Sequence, residues 1–284
     1  MKTHRAIATA SLVLALAVAN QARAETDPAE TLRKAAQVCK EQFGSGELAD
    51  VLKRVNLLRE AGLSYQPNLT VSLTGSQACK DSTQMQVVLG MLTFDTSYAL
   101  AFGKKKEFFD TLQYMNGEIS SRLKEDFLSS GGMVNASARL VAEDFTKPEN
   151  LEKYREAFQK QFDLMVDKIA VRPEAMAWLL DRWYGVELEA WHLACSLSLH
   201  QKWGDALSQL FVQRMRRLEK VDLSLQALKD SKYADLVRQP ERNRLLGEIR
   251  DIYRKKKGQL DRSDLRAILD KVDTARAEFL KPCR

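Results

Sequence analysis

The chain has 284 residues, of which 45% are hydrophobic, and a formal net charge of +6. This length and apolar content allow one large domain or two small ones, each with a sizeable core. Three of the six excess positive charges lie in residues 1–24, which leaves +3 for the rest of the chain. Proteins that bind the phosphate backbone need a larger basic surplus, so the composition argues against a nucleic-acid partner.

The first 24 residues have the pattern of a secretory signal peptide. Two basic residues precede an apolar run over residues 12–19, and an Ala-Arg-Ala sequence ends at Ala24. This run is shorter than the roughly 20 apolar residues that a membrane span requires, and later segments of that length contain charges. We therefore expect cleavage after Ala24 and a mature protein, residues 25–284, in the bacterial periplasm without a membrane span.

Beyond residue 27, apolar residues recur at spacings of three and four, and the alternating runs typical of strands are nearly absent. The pattern predicts an all-α fold with a single bundle-like domain of about ten helices. The predicted helices cover residues 28–43, 47–62, 81–102, 104–128, 133–145, 148–170, 173–200, 202–228, 240–257 and 263–280. Residues 63–79 are predicted to wrap over the bundle, and residues 239–284 to form a charged, more exposed helical appendix.

Glycines mark the ends of several predicted helices. Gly44, Gly62, Gly103 and Gly258 each stand at or after the end of an apolar periodic segment. A residue with positive φ commonly closes the last helical turn, and glycine adopts that conformation without steric cost. These positions therefore predict C-terminal caps.

The four cysteines are Cys39, Cys79, Cys195 and Cys283. An even number in an exported protein predicts disulfides, and four cysteines allow three pairings. We favour Cys39–Cys79 as the nearest pair and Cys195–Cys283 as a clamp on the C-terminal tail. The alternative for Cys195 is a free buried thiol that packs as a small hydrophobic residue.

Two acidic residues lie on apolar faces of predicted helices. Asp95 shares its face with Tyr98 and several apolar residues, and Glu187 lies on the core face of the helix over 173–200. A buried carboxylate must be paired, hydrogen-bonded or protonated. We expect Asp95, Tyr98 and Glu187 to form one buried polar centre, which serves either to fix the helix packing or to bind a ligand.

The same helix carries a possible metal motif. Glu189 and His192 form an E-x-x-H unit, whose spacing places a carboxylate and an imidazole on one side of a helix in di-iron bundles. A complete site needs a second such unit and further carboxylates. The alternative is a half-buried or solvated helix face without a ligand. The chain has no P-loop, G-x-S-x-G or H-E-x-x-H motif, so the sequence implies no cofactor.

Two stretches resemble exported helical proteins and lipoproteins of Gram-negative bacteria. They are "LGMLTFDTSYALAFGKKKEFFDTLQYM" and "WLLDRWYGVELEAWHLACSL". Leu89, Gly90, Asp95 and Tyr98 match the first part of the family pattern, and Glu187 stands near the second. The resemblance implies a helical envelope protein in which Asp95 and Glu187 are parts of the same structural feature. It implies no activity.

These observations lead to two hypotheses on function. The favoured one is a soluble, non-enzymatic binding or interaction module of the cell envelope, whose partner is an envelope protein or a small apolar ligand. The alternative is a metal-dependent enzyme that uses Glu189 and His192.

Overall fold

The computed structural model describes residues 63–73, 82–115, 174–200 and 240–281, together with scattered residues within 30–37, 147–167, 211–219 and at 234. Within these residues the structure is helical and contains no strand, so the predicted all-α fold is confirmed. None of the described helices is long and apolar enough to cross a membrane.

Five α-helices have both ends within the described residues. They are α1 (Ser82–Ala101), α2 (Lys105–Tyr114), α3 (Glu174–His200), α4 (Pro240–Lys255) and α5 (Arg262–Leu280), and a short 3-10 helix covers Pro67–Leu69. The predicted starts of all five lie within one residue of the observed starts. The expectation of about ten helices is not supported. The other predicted helices, and the caps at Gly44 and Gly62, fall largely or wholly outside the described residues.

Two predicted glycine caps are confirmed where the chain turns between helices. Gly103 follows α1 with a φ of 65°, and Gly258 follows α4 with a φ of 81°. The Gly258 amide donates to the carbonyl of Tyr253 at 3.0 Å, which closes the last turn of α4. Three residues later Asp261 begins α5 with a capping box, in which its side chain accepts from the amides of Ser263 and Asp264.

The α3 helix is buried on nearly all sides. From Trp183 to Leu199, every residue except the half-buried Val186 is buried. A helix without an exposed polar face needs neighbours all around it, which places α3 at the centre of the described core.

The α1 helix packs along α3 in the same direction. Near the start of the contact, Gln86 on α1 accepts a hydrogen bond from Arg182 on α3 at 2.7 Å, and further along Asp95 faces Glu189. Between these contacts the backbones touch at Gly90 and Gly185. A methyl group on Gly90 would lie 1.9 Å from the carbonyl oxygen of Arg182. The two glycines are therefore what allows this close approach.

The α5 helix runs antiparallel to α3. Phe279 near its C-terminus stacks edge to face on Tyr184, with ring centroids 5.9 Å apart, and Arg262 at its N-terminus donates to the carbonyl of Leu199 at 2.7 Å. It also buries one apolar stripe, formed by Leu265, Ile268 and Val272. This part of the segment predicted as a charged appendix thus contributes to the core.

The predicted Cys195–Cys283 disulfide is wrong. Cys195 is a free thiol, fully buried in the central helix α3. Burial, with a further contribution from the carboxylate of Asp273, raises the pKa of the Cys195 thiol. The alternative of a buried thiol that packs as a hydrophobic residue is therefore the correct one, while Cys39, Cys79 and Cys283 lie outside the described residues.

Candidate functional site

Three carboxylates of α3 are buried, and each meets an arginine from a different part of the chain. The pairs are Asp181 with Arg242 at 2.9 Å, Glu187 with Arg214 at 3.0 Å, and Glu189 with Arg276 at 2.6 and 2.9 Å. A buried ion without a partner is costly, and each arginine removes most of that cost by charge and hydrogen bonding.

The contact between Glu189 and Arg276 uses both oxygens of the carboxylate. Arg276 donates from Nε to Oε2 and from Nη2 to Oε1, the side-on geometry that suits the planar guanidinium. Burial disfavours the charge on Arg276, but its hydrogen bonds to Glu189 and the nearby carboxylates outweigh burial and raise its pKa. Glu189 is thus a fixed counter-ion for Arg276.

Asp95 of α1 lies next to this pair. Its Oδ2 accepts from the amide of Val71 at 2.8 Å, and its Oδ1 is fully buried without an N–H or O–H donor among the described residues. Complete burial, together with the charge of Glu189, raises the pKa of Asp95 well above its usual range. One guanidinium cannot neutralise two buried carboxylates, so the position of Asp95 beside Glu189 and Arg276 favours its neutral form.

These groups also hold the strap, which we define as residues 63–73. Beside the bond from Val71 to Asp95, the amide of Gln66 donates to the hydroxyl of Tyr98 at 3.1 Å. Arg276 donates from Nη2 to the carbonyl of Leu69 at 3.4 Å. The aromatic rings of Tyr65 and Tyr98 add a contact with centroids 4.9 Å apart. Asp95, Tyr98, Glu189 and Arg276 thus form one unit, the acid centre, which fixes the strap against α1 and α5.

Two residues of the predicted centre of Asp95, Tyr98 and Glu187 lie together, and the third lies elsewhere. The structure places Asp95 and Tyr98 together, but their carboxylate neighbour is Glu189, whereas Glu187 binds Arg214. Positions 187 and 189 are about 200° apart around a helix, so their side chains leave α3 on opposite sides. Arg214 in turn lies over the ring of Phe94, 5.1 Å from its centroid.

The E-x-x-H unit faces α5. His192 Nδ1 lies 2.5 Å from a carboxylate oxygen of Asp273, and both oxygens of Glu189 bind Arg276. Among the described residues, no group of three or more His, Cys, Asp or Glu side chains is placed to hold a metal ion. The spacing of Glu189 and His192 is explained by two contacts, one helical turn apart, with the same neighbouring helix.

An open groove lies where the acid centre reaches the surface. Its volume is about 410 Å³, and its lining residues are His192, Asp273, Arg276, Ala277, Leu280 and Lys281. All but His192 come from α5 or the residue after it. The groove combines cationic groups, one carboxylate and two apolar side chains, a mixture that suits binding of a small molecule.

The raised pKa of Asp95 has a consequence for stability. Because its pKa in the folded protein is raised above 3.8, the stability it contributes is complete below about pH 3.8 and is lost as the pH rises through the higher folded pKa. In Asp95→Asn the amide keeps an acceptor for Val71 and a donor for Glu189 without ionising. We expect the wild type to lose stability relative to Asp95→Asn as the pH rises above about 3.8 and until the raised pKa of Asp95 is passed, by up to about 1.4 kcal/mol per pH unit.

Urea unfolding across this pH range measures the difference. The exposed Asp270→Asn on α5 is the control, because it removes the same charge without touching the acid centre. If both variants changed with pH in the same way, the pKa of Asp95 would not be raised in the folded protein.

Comparison with family models, with curated proteins and with solved structures finds no match for this chain. The resemblance to exported helical envelope proteins, which rests on Leu89, Gly90, Asp95, Tyr98 and Glu187, therefore stays a prediction.

Proposed function

We propose that the protein is an exported, non-enzymatic helical module that binds a partner or a small ligand in the periplasm. One observation carries this proposal. Each carboxylate of Asp181, Glu187 and Glu189 is bound to an arginine inside the core, and Asp95 is bound to the strap. These acids have the role of fixing helices and strap to one another.

A metal site built on Glu189 and His192 would require a different arrangement. A metal ligand needs a lone pair directed at an ion in an accessible site. Both oxygens of Glu189 bind Arg276 instead. The arrangement supports binding rather than metal-assisted chemistry, and the surface that supports binding is the groove beside Arg276.

Metal content tests this proposal against the alternative of a metal-dependent enzyme. We expect protein purified from a periplasmic fraction, with its N-terminus at Glu25, to contain far less than one iron, manganese or zinc ion per chain. The physical reason is that the carboxylate of Glu189, which a metal ion would need as a ligand, is hydrogen-bonded to Arg276. Elemental analysis of the purified protein gives the answer, and N-terminal sequencing checks export.

The matched variants are His192→Ala and His200→Ala, which remove a histidine from the same helix. His200 is exposed and binds only the carbonyl of Ser196 among the described residues. A near-stoichiometric metal that is lost in His192→Ala and retained in His200→Ala would overturn the proposal in favour of the enzyme. Recovery of the protein only in the cytoplasm would overturn its periplasmic part.

A further inference from the structure

We propose that the groove between α3 and α5 binds a small carboxylate that carries an apolar chain. This inference rests on the proposed function and names the class of ligand. It follows from three properties of the groove: an available guanidinium nitrogen, a second polar contact beside it, and an apolar floor.

The available nitrogen belongs to Arg276. Its Nε and Nη2 atoms bind Glu189 and Leu69, while Nη1 makes no hydrogen bond to any described residue and is not fully buried. Because Glu189 fixes the plane of the guanidinium, the Nη1 hydrogens have a set direction before a ligand arrives. Preorganised donors of this kind bind carboxylates well, because little side-chain entropy is lost on binding.

The other polar groups of the groove belong to His192 and Lys281. The imidazole is held by Asp273 through Nδ1, and its Nε2 makes no hydrogen bond within the described part of the chain. Lys281 lies at the open end, where its ammonium group also contacts Glu278 at 2.6 Å. A carboxylate bound to Arg276 therefore has a second polar neighbour inside the groove and a cation at its entrance.

The apolar floor consists of Ala277 and Leu280. A purely apolar ligand would cover Nη1 of Arg276 without replacing the water bonded to it, which costs free energy. A ligand with two or more negative charges would be repelled by Asp273, whose side chain is about half exposed. A single carboxylate with an apolar chain gives Nη1 a new acceptor and is repelled less by Asp273 than a ligand with more negative charges, and the groove volume of about 410 Å³ suits a ligand of that size.

Isothermal titration calorimetry of the whole mature protein tests the inference with three probes. Decanoate, below its micelle concentration, carries both features, decanol carries the chain alone, and acetate carries the charge alone. We expect decanoate to bind one to one, and both other probes to bind at least about tenfold more weakly, since each lacks one set of contacts.

Two alanines of α5 provide matched variants. Ala277 lines the groove and Ala267 lies outside it, and both are exposed, so tryptophan at either position leaves the core intact. We expect Ala277→Trp to weaken decanoate binding at least about tenfold by filling the groove, and Ala267→Trp to leave it within about twofold.

Several results would overturn the inference. Decanol binding as tightly as decanoate would exclude the carboxylate contact, and equal effects of the two tryptophans would place the ligand elsewhere; either leaves the protein a binding module. No heat with decanoate would remove this ligand class. The proposed function fails by a separate result, a stoichiometric metal that depends on His192.

Discussion

Gly185→Ala is expected to destabilise the protein by about 3–5 kcal/mol, because the new methyl group has no space. An ideal Cβ at Gly185 would lie 1.9 Å from the carbonyl oxygen of Val87 and 3.0 Å from the amide nitrogen of Met91. Both atoms belong to the backbone of α1, so no side chain can turn away to make room. The two buried helices would have to separate, and contacts along their whole length would weaken.

Gly247→Ala is the control for this substitution. Gly247 also lies within a helix, α4, but the nearest atom to an added Cβ is the end of the flexible Arg250 side chain at 3.8 Å. Alanine favours the helix over glycine, so Gly247→Ala should stabilise the protein by about 0.5–1 kcal/mol. Thermal or urea unfolding of both variants separates the effect of space from that of helix propensity. A Gly185→Ala variant as stable as the wild type would refute the close contact between α1 and α3.

The predicted helices agree well with the structure where both can be compared, because helical periodicity and glycine caps are local properties. The contact between Gly90 and Gly185 is different. It joins positions almost a hundred residues apart, and in the sequence neither glycine differs from others that end helices. Gly90 was singled out only through a resemblance, and Gly185 was not singled out at all.

The sequence indicated only part of the acid centre. Asp95 interrupts an apolar stripe, which is visible in the sequence and indicates a buried carboxylate. Glu187 was chosen as its partner on the assumption that α3 has one buried face. Because α3 is buried on both sides, Glu189 is equally internal, although the sequence also allowed it to lie on a half-buried or solvated helix face.

Arg276 could not be identified from sequence. It lies in a stretch of alternating charges that is most simply explained as a solvated helix surface, and Arg266 on the same helix is indeed exposed. The difference between them is rotation about α5: Arg276 lies on the side that faces α3, whereas Arg266 points to solvent. Only the packing of three helices, α1, α3 and α5, reveals which charges are internal.

The three arginine contacts of α3 have a common effect on helix arrangement. Arg242 lies on α4, Arg276 on α5, and Arg214 in a third region, so each pairing fixes a different neighbour at one position along α3. Sliding a neighbour by one turn would separate a buried carboxylate from its arginine. Apolar contacts alone discriminate less sharply between such registers.

Glu189→Ala is expected to cost about 3–5 kcal/mol, because it leaves the largely buried Arg276 without its counter-ion. It also loosens the support of the strap at Leu69, which Arg276 binds. Asp95→Ala should cost less, about 2–3 kcal/mol, since it removes the acceptor for the Val71 amide and leaves the pair of Glu189 and Arg276 in place. Urea unfolding measures both losses of unfolding free energy. The slope of this free energy against urea concentration should be the same in the variants and in the wild type.

The double variants decide which acids belong together. Because Asp95 lies beside Glu189 and both acids face the charge of Arg276, the loss in Asp95→Ala/Glu189→Ala should be smaller than the sum of the single losses by at least about 1 kcal/mol. Glu187 has its own arginine on the opposite side of α3, so Asp95→Ala/Glu187→Ala should be additive within about 0.5 kcal/mol. Coupling of Asp95 to Glu187 as strong as its coupling to Glu189 would mean that the two faces of α3 act as one network, and the acid centre would then have to include Arg214.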